Sequence, residues 1–382
     1  MIEPFTSRPA PKLIFGPGAL RELPAGVREL GASGVFLVSD TGIARAGHVD
    51  TARRLLESAG IPVEVFARSK ENPTESDAAA CRDIAREIRF DCIVALGGGS
   101  SMDTAKACNF LLTNGGAMRD YHGYGKAAKP MLPFIAIPTT AGTGSECQSY
   151  ALVSRDDSHE KMACGDPKAR ARIAILDPEL TETQPGAVAI QTGLDALAHA
   201  LESAVCTRRN AISSIYSEGA FRHLSGAIGP VLAGRASHDD RGHMQLGAAL
   251  SGLAIENSML GAAHATANPL TARHNVIHGH AVALMLPHIM RFNAEEAAVG
   301  AIYARYADIL KESRVTSLPL IDWVAELVSQ SSLPVISVGA QDLAALALDA
   351  TRQWTGQFNP RTLILDDYVA LYRRALASHA SA

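Results

Sequence analysis

The hydrophobic periodicity of this chain changes once, and that change limits the fold more than any other feature. Up to about residue 185, short apolar runs rich in β-branched residues alternate with amphipathic segments. Val35–Val38, Val63–Phe66, Ile93–Leu96, Phe134–Ile137 and Ile173–Leu176 read as strands, with helical patterns such as Val49–Ala59 and Ser76–Arg89 between the early ones. Unbroken apolar runs separated by helices predict βαβ units and a mainly parallel, Rossmann-like sheet buried on both faces. Tyr150–Val153 and Lys161–Ala163 flank the polar span Ser154–Glu160, which reads as a hairpin loop. From Ala187 onward no strand-like alternation recurs. Helical patterns cover Ala187–Cys206, Ala211–Ala233, Asp239–Asn257, Gly279–Phe292, Val299–Leu310, Ile321–Ser329, Ala340–Trp354 and Asp367–Ala377. The breaker-rich TETQPG places the boundary near residues 178–186. This gives an α/β domain over 1–182 and an all-helical domain over 183–382.

A length of 382 residues is itself more than one core usually serves. The net charge of −4 offers no footprint for nucleic acid or an anionic membrane surface. No apolar run reaches the ~18 residues of a spanning helix. The N-terminus lacks the apolar core of a signal peptide, so a cytoplasmic protein is expected. Cys81, Cys92, Cys108, Cys147, Cys164 and Cys206 form no CxxC pair and read as reduced, buried small hydrophobes.

Chemistry concentrates in the helical half. Asp195 and His199 are four apart in an Ala/Leu-rich helical pattern, so both side chains leave one face a turn apart. An unpaired carboxylate among apolar neighbours is costly, and a cation removes the cost. Five histidines fall between Leu260 and His288, and His264 and His278 would complete an Asp/His3 set. Such ligands suit iron(II), zinc or manganese rather than calcium, and no adjacent cysteine suggests a structural zinc site. Each histidine taken singly reads more readily as a hydrogen-bonded core residue than as a ligand; it is the set of four that points to a metal.

Two loops of the first half have the character of phosphate cradles. Gly97-Gly98-Gly99-Ser100 follows the strand Ile93–Leu96 and opens a helix that contains Asp103 and Lys106. Its glycines permit close approach of a ligand, and the uncovered N–H groups of the helix favour a diphosphate. Met102 stands where a third glycine would complete GxGxxG, so the dinucleotide fingerprint is absent and tight packing is the alternative reading. Thr139, Thr140 and Thr143 lie in a second loop after a strand, which reads as a nucleotide contact or a polar turn. Asp40 follows Val35–Val38 and can hold ribose hydroxyls or cap a helix.

Together, GGGSSMDTAK, PTTAGTGSE, DALAH, the H…HG segment ending in Leu286-Pro-His288, and Asn359-Pro-Arg361 resemble the iron-containing (group III) alcohol dehydrogenase family over essentially the whole chain. The resemblance implies a dinucleotide-binding domain, a helical metal domain, and hydride exchange between NAD(H) and a small alcohol or aldehyde in a homodimeric enzyme. It implies Fe2+, with Zn2+ as the alternative, on Asp195, His199, His264 and His278. Cofactor contacts would come from Asp40, Asn72, Gly97, Gly98, Gly99, Ser100, Asp103, Thr139, Thr140, Thr143, Lys161 and Leu180. Asn268 replaces the histidine that commonly follows the third ligand by four residues. It can orient substrate or water but cannot relay a proton. His274, on the segment connecting the last two ligands, is then expected to serve as proton relay. His280, which would point along the next helix or stand on the surface, is the other candidate relay, and water with the cofactor ribose is the remaining proton source. Arg273 reads either as a recognition group for an anionic aldehyde or as a solvated surface residue. Related branches offer other chemistries: a metal-dependent lyase resembling dehydroquinate synthase, and an enoate reductase resembling maleylacetate reductase.

Overall fold

The computed structural model describes residues 4–380 apart from 159, 332 and 337. The chain forms two compact units, Pro9–Gln184 and Pro185–Ala382, and the N-terminal stretch through Arg8 goes with the second. Arg8 shows why. Its backbone N–H donates to Asn257 Oδ1 at 2.7 Å, and its guanidinium pairs with Glu256 at 3.1 Å.

The first unit carries strands β1 (Lys12–Phe15), β2 (Val35–Asp40), β3 (Val63–Ser69), β4 (Cys92–Gly97), β5 (Gly123–Tyr124), β6 (Phe134–Pro138), β7 (Tyr150–Ser154), β8 (Lys161–Gly165) and β9 (Ile173–Leu176). Helices α1 (Leu23–Glu29), α2 (Thr41–Arg45), α3 (His48–Ser58), α4 (Glu75–Arg86) and α5 (Gly99–Asn114) connect them. Six strands form a parallel sheet in the order β1-β9-β6-β4-β2-β3. Side chains alternate across it. Leu37, Val94, Ile137 and Ile175 join a core under α1 and α3, whereas Phe36, Val38, Ile93 and Ala136 join a core with residues of α4 and α5. Burial on both faces is why these strands read as unbroken apolar runs. β7 and β8 pair antiparallel from Tyr150↔Gly165 to Ser154↔Lys161, with β5 added parallel to β8. Residue 159 of the expected hairpin loop lies outside the described residues. β1 was not foreseen; a four-residue edge strand, half exposed, has neither a long apolar run nor clean alternation.

The second unit consists of α6 (Gly186–Val205), α7 (Ala211–Leu232), α8 (His238–Glu256), α9 (Ala262–His274), α10 (His278–Asn293), α11 (Ala297–Glu312), α12 (Leu320–Gln330), α13 (Leu343–Thr351) and α14 (Leu365–Ala380). α6 is buried continuously from Gly193 to Val205 and packs against α7, α8 and α10. A side chain on Gly279 would collide with the backbone oxygen of Gln191, so this glycine lets α10 begin directly against α6. α9 corrects the sequence reading, which treated His264–His274 as a connecting segment. Its Ala/Thr content and internal Pro269 hide the helical period, yet eight of its thirteen residues are buried. Among the described residues, no helix is long and apolar enough to cross a membrane.

Candidate functional site

In the sheet unit, β4 is flanked by β2 and β6, with Gly97 in register with Pro138. Their carboxyl ends therefore set Asp40, Gly97 and Thr139 side by side. The chain crosses over β2 between β3 and β4, making this a topological switch point, where open α/β sheets bind ligands. α5 begins at Gly99 with Gly98 as its N-cap and no side-chain cap, so its first N–H groups remain for a ligand. The second loop packs directly on this turn. A Cβ on Gly98 would sit 3.4 Å from Thr140 Cγ2, and one on Gly99 would be 2.8 Å from Thr143 Cγ2. Thr139 N–H donates to Gly97 O at 3.1 Å, while its buried hydroxyl has no hydrogen-bond partner among the described residues.

Asp40 turns out to be a helix cap that also touches the glycine loop. Gly42 and Ile43 N–H donate to Oδ1 at 2.8 and 3.0 Å, and the Ser101 hydroxyl donates to Oδ2 at 3.0 Å. Under the second loop lies the buried Lys106 ammonium. It donates to Ser145 O, Ser145 Oγ, Gln148 O and Tyr150 O at 2.7 to 3.0 Å. Asp103 sits beside it, within 3.4 Å of Ser145 Oγ, and burial raises its carboxyl to about 6 against the opposing pull of Lys106 and Lys161. Asp103 is thus an interior support of the two loops rather than part of the open turn. Leu180 is a core residue in the turn after β9. Asn72 follows β3 in a left-handed conformation, and Lys161 opens β8, so neither stands at the ends of β2, β4 and β6.

In the helical unit, Asp195, His199 and His264 converge. One ligand atom from each lies within 4.8 Å of the others, and all three residues are buried. Asp195 Oδ1 is 3.5 Å from His199 Nε2 and 3.4 Å from His264 Nε2. Neither Asp195 Oδ1 nor His264 Nε2 makes a hydrogen bond of sound geometry among the described residues. Leaving two such atoms buried and unmatched is expensive. A cation at their focus removes the cost, and one oxygen with imidazole nitrogens is a donor set for iron, zinc or manganese. The local field has the right sign. Burial pushes the Asp195 carboxyl up, but His199, His264 and His278 outweigh it and hold Asp195 below the usual carboxylate range. Burial likewise lowers His264, but Glu202 and Asp195 overcome it and bring the imidazole up to about 9. The two carboxylates that hold a proton on His264, Glu202 and Asp195, would favour a divalent ion in its place.

His278, at the start of α10, stands beside this trio, its ring centroid 5.4 Å from that of His264. Asn268 is one turn beyond His264 on α9, and its amide nitrogen donates to Gln353 Oε1 at 2.9 Å. His274 is ten residues beyond His264 on the same helix, about 15 Å along the axis at 1.5 Å per residue. The segment that connects His264 to His278 is thus largely helix, with His274 at its far end. His280 is buried in α10 rather than exposed. Arg273 is on the surface, where its Nε donates to Asp349 Oδ2 at 2.5 Å, so the solvated reading holds. Cys147 is fully buried. Glu202, which the sequence reading missed, is the carboxylate neighbour of His264. Its signal was present: it is the third titratable residue on the Ala/Leu helix, seven beyond Asp195.

The chain matches two family models: "Iron-containing alcohol dehydrogenase" over residues 10–178 and "Fe-containing alcohol dehydrogenase family, C-terminal" over residues 189–376. It is 30% identical to lactaldehyde reductase of Escherichia coli K12, across 94% of this chain and 97% of that protein. It is 28% identical to the NAD-dependent methanol dehydrogenase of Bacillus methanolicus, across 96% and 98%. A crystal structure of 1,3-propanediol oxidoreductase superposes with a TM-score of 0.90 at 27% identity, covering 98% of this chain and all of the other.

Proposed function

The chain belongs to the iron-containing alcohol dehydrogenase family, and from that premise we propose that it exchanges a hydride between NAD(H) and a small alcohol or aldehyde at a divalent metal. The reading assigns the dinucleotide to the sheet unit and the metal to the helical unit. The metal ligands are Asp195, His199, His264 and His278. The observation that carries it is the convergence of buried Asp195, His199 and His264, with Asp195 Oδ1 and His264 Nε2 lacking a hydrogen bond among the described residues. When bound, the ion supplies Lewis-acid polarisation of the substrate oxygen and the dinucleotide supplies the redox equivalents.

The chain's own residues account for the rest. Gly98 and Gly99 leave the α5 N–H groups open to a diphosphate, and Thr139, Thr140 and Thr143 flank that turn. Asp40 keeps one free acceptor position on Oδ2 after capping α2 and accepting from Ser101, enough for a ribose hydroxyl. Asp195, His199 and His264 form one buried cluster that would hold the ion, with the half-buried His278 beside it as the fourth ligand. Asn268 is fixed by Gln353 with its amide oxygen left as acceptor, so it can orient a substrate hydroxyl or water one turn from His264. With His274 remote along α9, a water held by Asn268 replaces it as the proton source in this reading. A screen of short aldehydes with NADH, run on enzyme reconstituted with Fe2+ or Zn2+ and on chelated enzyme, tests the proposal. Metal-dependent NADH oxidation with at least one small aldehyde is expected. Turnover that is equal with and without metal would refute it.

A further inference from the structure

Glu202 lies three residues beyond His199 and seven beyond Asp195 on α6, so all three side chains leave one face of the helix. It is buried, and its two carboxylate oxygens are committed to α9. Oε1 accepts the Ala263 N–H at 2.7 Å, and Oε2 accepts from His264 Nδ1. α9 needs the first contact. Its N-cap, Gly261, has no side chain to cap with, and a Cβ there would press to 3.0 Å from Asn359 Oδ1 and 3.1 Å from Glu202 Oε1. Glu202 and Asn359 instead take the N–H groups of Ala263 and Ala262, the latter at 3.2 Å.

The second contact decides what His264 can do. An ionised carboxylate only accepts, so the nitrogen facing Glu202 must carry a proton. In the neutral ring the lone pair is then on Nε2, the atom 3.4 Å from Asp195 Oδ1 and without a hydrogen bond among the described residues. We infer that Glu202 is the positioning residue that makes His264 a metal ligand, by fixing the proton on Nδ1 and turning the Nε2 lone pair toward Asp195. The inference rests on the metal site proposed above. Since the same carboxylate ties the α9 N-terminus to α6, one side chain sets both the position of His264 and its tautomer.

Glutamine at 202 has the same shape but cannot perform both tasks, because an amide offers one accepting oxygen and one donating nitrogen. With the oxygen on the Ala263 N–H, the NH2 group faces Nδ1 and favours the tautomer protonated on Nε2, which cannot bind an ion. With the oxygen on His264, the NH2 group opposes the Ala263 N–H. Either arrangement penalises the metal-binding form.

The test is the Zn2+ and Fe2+ affinity of chelated wild type, Glu202→Gln and His264→Ala, measured by competition with a chromophoric chelator. The dissociation constant of each protein for NADH and its apo melting temperature serve as controls. Glu202→Gln should bind metal about 10- to 100-fold more weakly, the range for such outer partners, with the NADH constant unchanged. Wild-type metal affinity in a folded Glu202→Gln protein would overturn the inference while leaving the metal site standing. Failure of the wild type to bind any ion would overturn the site itself. If Glu202→Gln does not fold, 15N NMR of the Zn2+-loaded wild type decides. His264 must show a proton on Nδ1 and the metal on Nε2, and the reverse assignment overturns the inference.

Discussion

Asp40 joins two roles that one pair of substitutions can separate. Its Oδ1 caps α2 through two backbone N–H groups, and its Oδ2 faces Ser101 at the glycine turn with one acceptor position left for ribose. Asp40→Asn keeps a good capping oxygen and removes the charge; Asp40→Ala removes both. Two unit charges at 4 Å are worth about 1 kcal/mol in bulk water and about 4 kcal/mol at an effective dielectric of 20. Asp40 is half-buried, so its repulsion of a 2′-phosphate falls between, at about 2 kcal/mol, or roughly 30-fold in relative affinity. The account therefore expects a wild type that prefers NAD. In Asp40→Asn, the ratio of kcat/KM with NADPH to that with NADH should rise by about 30-fold, with the melting temperature within a degree or so of wild type. Asp40→Ala should show a similar ratio but lose about 1 kcal/mol of stability with the cap. Steady-state kinetics with both cofactors and thermal melts of the three proteins provide the comparison. An unchanged ratio in a fully stable Asp40→Asn enzyme would refute the reasoning.

Gly99→Ala forces a Cβ to 2.8 Å from Thr143 Cγ2, so the two loops must separate; KM for NADH should rise at least tenfold while the metal content stays at the wild-type level. The Glu146 carboxyl is raised by burial to about 7, against its own backbone hydrogen bond and the pull of Lys106. A raised acid stabilises the fold fully below its unfolded value near 4.5, and that contribution is lost as pH climbs through 7. Urea titrations from pH 4.5 to 8 should therefore show Glu146→Gln gaining on the wild type with rising pH, by up to about 3 kcal/mol, and a constant difference would contradict the shift. Arg273→Ala should leave the ratio of kcat/KM for anionic and neutral aldehydes of equal length unchanged, since the guanidinium is already paired with Asp349 at the surface.

The parts of the fold legible in the sequence are those where burial imposes a period. β2, β4, β6 and β9 are buried on both faces and appear as apolar runs; α6 reveals the Asp195/His199 pair because two polar residues four apart interrupt an Ala/Leu pattern. The glycine turn is legible for a similar reason, as a strand that ends in three residues without side chains. α9 is not. It is short and Ala/Thr-rich with an internal proline, so neither an apolar stripe nor helix propensity marks it. Without that helix the sequence does not show that Arg273 and His274 sit in its last turn, nearly three turns beyond His264. Asp40 shows a different limit. Its position after a strand fits a helix cap and a ribose ligand equally, and only the two backbone donors on Oδ1 show that the cap is real. Glu202 is visible in the sequence as a titratable residue on the face of α6 that carries Asp195 and His199, but its contact with α9 joins residues 61 apart and no local pattern encodes it.

The most direct test of the account is the metal content of the purified protein, measured by inductively coupled plasma mass spectrometry after reconstitution with Fe2+ or Zn2+ and removal of excess ion. The account predicts one ion per chain in the wild type, and less than about a tenth of that in Asp195→Ala and His264→Ala, with NADH still bound by both variants. One ion per chain retained in folded Asp195→Ala and His264→Ala would contradict the assignment of the metal to this cluster.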